Sequence, residues 1–372
     1  MSALVAADVA AVQAAVREGG PLVPVAGRTH PATVPGPDGP ARALDVSGLA
    51  GIVDYDPAEL TFTARPGTTL AELDTVLASH GQHLPFDPPR LGEAATLGGA
   101  VATGVTGPGG FAAGIRDFVV GVRFVDGTGR LAAGGGRVVK NAAGFDLPKL
   151  MVGSLGRLGV IVELSLKVFP RPTATATVRF PTVGLPAGLA AVAALARAPI
   201  PVTALDLAPD GTVTTRISGA ADVDGPKNHV YRGSSAHQHG VGARAERLAR
   251  SIEPVGTLVE GEGAYWDEAR RFAWVGDEAR LVVVPLSPRR VFALDAELER
   301  RGAARRYGLA ANVAWIGWPE SESLDDLSVV LAAQGLSGVA LTGTPLVDPL
   351  LGAATGGAFA RRITGALAGG HG

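Results

Sequence analysis

The chain contains no cysteine in its 372 residues. Disulfides, zinc ribbons, thiol catalysis and cysteine ligation of an iron–sulfur cluster are thereby excluded. Any electrons the protein handles must leave through a partner or a soluble acceptor. A basic surplus is missing too: the formal net charge is −2 and the pI is near 6.4. Nothing is left over to neutralise phosphates, so no nucleic-acid partner is expected. No uninterrupted apolar run approaches the roughly 18 residues that cross a bilayer. The first residues carry no basic stretch and Asp8 interrupts their apolar run, so no signal peptide is expected. A cytoplasmic protein is the expectation, with any membrane association arising through partner subunits.

What is present is a long, apolar, glycine-rich chain. At 47% hydrophobic residues it can bury more core than most single domains, and two domains are expected. Asp8 can cap a helix over residues 9–18, with Val9, Val12 and Val16 at helical spacing and Gly19 as the stop. Short strands are predicted over 21–25, 43–46, 52–55 and 60–65. Thr69 can cap a helix reaching Ser79, where Leu70, Leu73 and Leu77 share one face. Residues 84–114 are dominated by Pro and Gly. A strand follows over 118–125, then a short helix capped by Asp146. Over 160–168, Val160, Val162, Leu164, Leu166 and Val168 alternate with Glu163, Ser165 and Lys167 in strand fashion. Pro170-Arg171-Pro172 breaks the chain and marks a domain boundary. Beyond it, strands are predicted over 175–180, 203–207, 213–217 and 279–285. Helices are predicted over 185–197, 243–252, 264–272 and 291–301, with a polar loop over 222–240.

The glycines gather in loops, and loops of Gly, Thr and Pro are most often turns. A dinucleotide-binding Rossmann unit needs Gly-x-Gly-x-x-Gly after the first strand and then a helix. The loop after Val25 has one Gly before Pro31 and no helix signal, so that reading fails. A lysine-bearing phosphate loop is absent as well. What remains is a series of loops along one domain: Ala26 to His30, Pro85 to Pro89, Thr96 to Gly104, Gly114 to Gly121, Val139 to Leu147 and Gly153 to Ile161. Bare glycine backbone lets N–H donors approach a pyrophosphate, and a flat ring system needs an apolar slot with a few placed polar groups.

The order and wording of these loops resemble the FAD-binding domain of the vanillyl-alcohol-oxidase-type (PCMH-type) flavoproteins. The runs PFDPPRLGEAATLGGAVATGVTGP, GIRDFVVGVRFVDGTG and VVKNAAGFDLPKLMVGSLGRLGVIVELSLKVFPRP are similar to the FAD-binding subunits of bacterial glycolate oxidase. The resemblance covers over a third of the chain and is loose in the C-terminal half. It implies FAD as cofactor. Ala26, Gly27, Arg28, Thr29 and His30 stand where the first pyrophosphate loop lies. Thr96, Gly98, Gly99 and Thr103 match the second phosphate-contacting segment, and Pro88 belongs to the loop before it. Arg116 and Asp117 fall in a turn near the flavin, and Lys140 beside Asn141 is placed in the same region. Gly159, Val160 and Ile161 match the strand start that meets the adenine–ribose end. Some relatives attach FAD covalently through a histidine in the first loop, a pattern the glycolate oxidase subunits do not generally show at the position of His30.

The resemblance implies an α+β protein: a PCMH-type FAD-binding domain of two subdomains over 1–172, then an α+β cap domain over 173–372. The first should pair a small βαβ subdomain with a larger mixed sheet. The second should be an antiparallel sheet with helices on one face. The implied function is that of an FAD-binding subunit of a glycolate or related 2-hydroxyacid oxidase complex, alongside an iron–sulfur subunit and a second flavin subunit. Two alternatives stay open: a non-catalytic electron-relay or structural subunit, and a stand-alone FAD-linked oxidoreductase with another substrate. No residue stands out as catalytic. The histidine-rich motif of related catalytic subunits is missing from the C-terminal half, as is their closing Asn-Pro-Gly segment. His229, His237 and His239 read as histidines of a surface loop rather than metal ligands. Tyr265, Trp266, Arg270 and Arg271 form an aromatic–basic helix that anchors to its sheet or faces a ligand.

Overall fold

A computed structural model describes residues 4–29, 41–136, 146–221, 240–259, 262–343, 348–353 and 367. The chain forms two compact units. The first comprises residues 1–107, 113–170 and 339–372; the second comprises 108–112 and 171–338.

The first unit begins with β1 (Leu4–Val5), α1 (Val9–Arg17), β2 (Leu22–Val25) and β3 (Arg42–Asp45). Asp8 caps α1 as its sequence position requires, accepting a bond from the Ala11 amide at 2.8 Å. β1 and β2 both pair with β3 in parallel, in the order β1-β3-β2, with α1 as the crossover. Then come β4 (Ile52–Asp56), β5 (Thr61–Ala64), α2 (Leu70–Ser79), β6 (Gln82–His83), α3 (Leu97–Thr103), α4 (Ile115–Phe118), β7 (Val119–Val125), β8 (Leu131–Gly135), α5 (Leu147–Met151), β9 (Val160–Lys167) and β10 (Phe169–Pro170). Five of these strands make the larger sheet, ordered β4-β5-β9-β7-β8. Its pairs are all antiparallel, so the expected mixture of directions is corrected. The tight connections β4–β5 and β7–β8 allow only antiparallel pairing. Leu70, Leu73 and Leu77 of α2 are buried with Leu97 and Val101 of α3 and Leu164 and Leu166 of β9 in one core. Each such leucine contributes about 1.5–3 kcal/mol by leaving water. Leu367 packs on the same core and its carbonyl accepts from the Gly127 amide at 3.0 Å.

The second unit contains β11 (Ala174–Phe180), α6 (Gly184–Leu195), β12 (Ala204–Leu207), β13 (Val213–Gly219), α7 (Val241–Ala249), β14 (Thr257–Leu258), α8 (Glu262–Arg271), β15 (Ala279–Pro285), α9 (Val291–Arg300), β16 (Ala304–Gly308), β17 (Val313–Pro319) and α10 (Leu324–Ala333). Its strands are antiparallel neighbours in the order β14-β11-β13-β12-β16-β17-β15. Strand alternation sorts their side chains. One face carries Leu205, Leu207 and Tyr307 against α6 and α9, where Asp295 of α9 accepts from Arg305 at 2.6 and 3.0 Å and from the Tyr307 hydroxyl at 2.6 Å. The other face carries Thr177, Asp206, Thr214, Arg216, Arg306 and Trp315. Helix α8 covers this second face, so helices lie on both faces instead of one. It is held there by Trp266, whose buried indole N–H donates to Thr177 Oγ1 at 2.8 Å.

Candidate functional site

Three glycine-rich loops of the first unit converge on one cleft, and each is shaped by close backbone approach. After β2, the Val46 amide still donates to Val25 at 2.8 Å, and the chain then turns through Gly27 and Arg28, the latter at φ +53°. A Cβ at Gly27 would lie 1.7 Å from the Ala94 carbonyl oxygen, so only glycine fits. Thr96 caps α3, its hydroxyl accepting from the Gly99 amide at 3.2 Å. Gly98 sits against Pro66, where a Cβ would be 2.5 Å from the proline Cβ. Thr103 closes α3 by donating its hydroxyl to the Gly99 carbonyl at 2.9 Å. The third loop is tied to α3 by bonds from the Gly153 amide to Val101 at 3.0 Å and from the Leu155 amide to Ala102 at 2.8 Å.

The cleft has a volume of about 370 Å³, within the range of small-molecule sites. Of the residues singled out in the sequence, Ala26, Gly27, Arg28, Thr29, Thr96, Gly98, Gly99, Thr103, Gly159 and Ile161 line it. Pro88, Val160, Arg116 and Asp117 do not. Pro88 is buried. Val160 alternates away from Gly159 and Ile161 into the core beneath α1. Arg116 and Asp117 are exposed at the start of α4, where the Asp117 carboxylate accepts from the Gly114 amide at 3.0 Å. His30, Lys140 and Asn141 lie outside the described residues, as do His229, His237 and His239. The lining also includes Pro24, Val25, Val46, Pro66, Ala102, Leu155, Gly156 and Gly343. Pro24 and Val25 flank a loop already conspicuous for glycine, and Ala102, Leu155 and Gly156 lie within two such loops; Pro66 and Gly343 carry no local signal.

The chemistry of the lining is apolar walls with few polar groups. Among its described residues Arg28 alone carries charge, and no carboxylate faces the cleft. The Arg28 guanidinium pairs with Asp45 at 3.0 Å. Partial burial opposes ionisation of Asp45, but bonds from Ser47 and the Arg28 charge outweigh it and hold the carboxyl below its ordinary range. The amides at the start of α3 are already engaged: Leu97 donates to Thr68 at 2.9 Å, Gly98 to Pro66 at 2.8 Å and Gly99 to Thr96. By contrast, among the described residues the amides of Gly27 and Thr29 form no hydrogen bond. The first loop therefore offers free donors and a cation, while α3 offers close-packed backbone and the threonine methyls. Such a donor set and apolar slot suit a dinucleotide with a pyrophosphate and a flat ring.

Comparison with known proteins agrees with this chemistry. Residues 5–134 match the family described as FAD binding domain. Over 165 residues the chain is 46% identical to glycolate oxidase subunit GlcE of Escherichia coli (strain K12), covering 44% of this chain and 47% of that protein. It is 34% identical over 122 residues to glycolate oxidase subunit GlcD of Bacillus subtilis (strain 168), covering 32% of this chain and 26% of that one. With the mitochondrial D-lactate dehydrogenase [cytochrome] of Arabidopsis thaliana the identity is 33% over 143 residues, covering 38% of this chain and 25% of the other. The matches thus span about half or less of these relatives. Among solved structures, alkyldihydroxyacetonephosphate synthase superposes with a TM-score of 0.64 over 98% of this chain and 74% of its own, at 15% identity. That likeness establishes the fold. The first unit carries a PCMH-type FAD-binding domain, and FAD is its cofactor.

Proposed function

We propose that the chain is an FAD-dependent oxidoreductase subunit that takes part in oxidising 2-hydroxy acids such as glycolate, within a complex that passes electrons to a separate iron–sulfur subunit. The observation that carries this reading is the cleft of the first unit, with its apolar walls and, among the described residues, two loop amides that form no hydrogen bond and a single arginine. When bound, FAD supplies a two-electron acceptor. The amides of Gly27 and Thr29 would hold its pyrophosphate, with Arg28 offsetting the charge. Thr96, Gly98, Gly99 and Thr103 would wall the middle of the cofactor, and Gly159 and Ile161 its far end. Glycolate and lactate are both 2-hydroxy acids, and the proteins named for them share this segment, which supports the substrate class. The absence of cysteine supports a separate carrier of iron–sulfur centres. A second flavin subunit would complete such a complex.

Anaerobic mixing of the FAD-loaded protein with a panel of 2-hydroxy acids tests the reading. Loss of the flavin absorbance band with one member of the panel is expected. Bleaching that needs an added partner subunit would make this chain a relay, and no bleaching under either condition would overturn the assignment.

A further inference from the structure

The first cofactor loop, residues 26–29, is neither helix nor strand, so the direction of its amides must be fixed from outside. The segment 90–95 lies directly behind it. Gly27 is in backbone contact with the Ala94 carbonyl, as its missing side chain requires. The Thr29 methyl group stands 3.2 Å from where a Gly92 Cβ would be. Gly92 itself holds φ +129°, a backbone conformation that favours glycine. Two residues of the segment thus back the two residues whose amides face the cofactor.

The segment has no regular structure of its own either, and it is tied to α2 at both ends. At one end the Leu70 amide, in the first turn of α2, donates to the Ala95 carbonyl at 2.8 Å. At the other the Arg90 guanidinium forms an ion pair with Asp74, four residues further along α2. Their side chains are 19% and 27% exposed, so solvent screens the pair only in part. Helix α2 is a firm anchor, because Leu70, Leu73 and Leu77 are buried in the core of the unit. Without the pair the segment keeps its tether at Ala95 and loses the ion pair at Arg90. Gly92 between them then has freedom to turn, and the support behind Thr29 and Gly27 turns with it.

We infer that Arg90 and Asp74 are positioning residues for FAD: their ion pair holds segment 90–95 against the first loop and fixes the amides of Gly27 and Thr29 before the cofactor arrives. Neither side chain lines the cleft, so the pair acts through the loop. Its contribution is preorganisation, since a loop already in shape spares FAD the entropy of ordering it. The inference rests on the assignment of those two amides to the pyrophosphate.

Equilibrium dialysis of FAD against the full-length apoprotein tests it. Arg90→Ala and Asp74→Ala should each weaken FAD binding about tenfold. The double variant should bind no more weakly than either single one, because both remove the same interaction. Arg90→Lys should recover part of the loss, as an ion pair without the guanidinium fork. Asp74→Ala places a strong helix former on α2, so this variant should fold even where a change at Arg90 does not. Wild-type affinity in Asp74→Ala beside weak binding in Arg90→Ala would mean that Arg90 meets the cofactor directly, and would overturn the inference. Additive losses in the double variant would do the same. Thermal melts of each apoprotein measure what the pair adds to the fold, and a lowered melting temperature with unchanged FAD affinity would make the pair structural only. Gly27→Ala separates this inference from the assignment beneath it. Weak binding in Gly27→Ala with wild-type binding in Arg90→Ala would keep the loop as the pyrophosphate site and sink the brace. Wild-type binding in both would sink the assignment and the brace together.

Discussion

The Arg28 guanidinium stands 3.0 Å from the Asp45 carboxylate at the cleft of the first unit, joining the loop after β2 to the end of β3. The Arg28 side chain is 57% exposed and that of Asp45 only 16%, so the pair itself adds little stability. Its consequence is positional: Asp45 fixes the one charged group that lines the cleft among the described residues. Arg28→Ala should weaken FAD retention about tenfold, and more steeply at low ionic strength, as measured by equilibrium dialysis. Because the Asp45 carboxyl is held below its ordinary range, the tether is complete above about pH 4 and is lost as acid protonates Asp45. Retention of FAD by wild type should therefore fall on acidification below that point, and Asp45→Asn should show the reduced value at every pH. Equal retention by wild type and Arg28→Ala would refute a role for the pair.

Gly27 gives a sharper test, since its neighbour is backbone and cannot swing aside. A methyl group 1.7 Å from the Ala94 carbonyl oxygen forces the Ala26–Thr29 loop away from the cleft. The amides of Gly27 and Thr29 move with it. Gly27→Ala should lower FAD affinity about 100-fold, the loss of two charge-assisted hydrogen bonds. The second unit should melt as in wild type, which calorimetry can read separately. FAD binding that survives this substitution would mean the pyrophosphate is held elsewhere.

How much of this was legible in the sequence depended on how local its cause was. Asp8 and Thr69 cap the helices they were expected to cap, because a capping bond reaches only three residues. The alternation from Val160 to Val168 gave β9 for the same reason. Helix α3 was hidden, since two glycines, a valine and a threonine in seven residues read as loop; it persists because Thr96 and Gly104 cap it and its buried face is fixed by neighbours. The β16–β17 hairpin was hidden too. Its turn runs through Leu309, Ala310 and Ala311, all at positive φ without a glycine to announce it. In the site, loop glycines were legible by clustering. Pro66 and Gly343 join the cleft through long-range contacts that leave no local trace. Asp206, Arg216 and Arg306 come from three strands, and no spacing in the chain hints that they share a face.

Asp206 also predicts a pH dependence whose sign is opposite to that of most acidic groups. Its carboxyl is raised from 3.8 to about 6 in the folded chain by burial, against Arg306 and Arg216 and alongside Tyr265 of α8. The folded state thus holds a proton that the unfolded state has released between these two values. Stability from this group is complete below about pH 3.8 and is lost as pH rises through about 6. The loss is about 2–3 kcal/mol by linkage, and it does not recover at higher pH. Asp206→Asn cannot ionise, so above pH 7 the variant should be more stable than wild type by about that amount. At pH 4 the two should coincide, since every other titrating group is shared and cancels in the difference. Denaturant melts followed by tryptophan fluorescence at pH 4, 5, 6 and 7 measure the gap. A gap independent of pH would refute the buried state of this carboxyl.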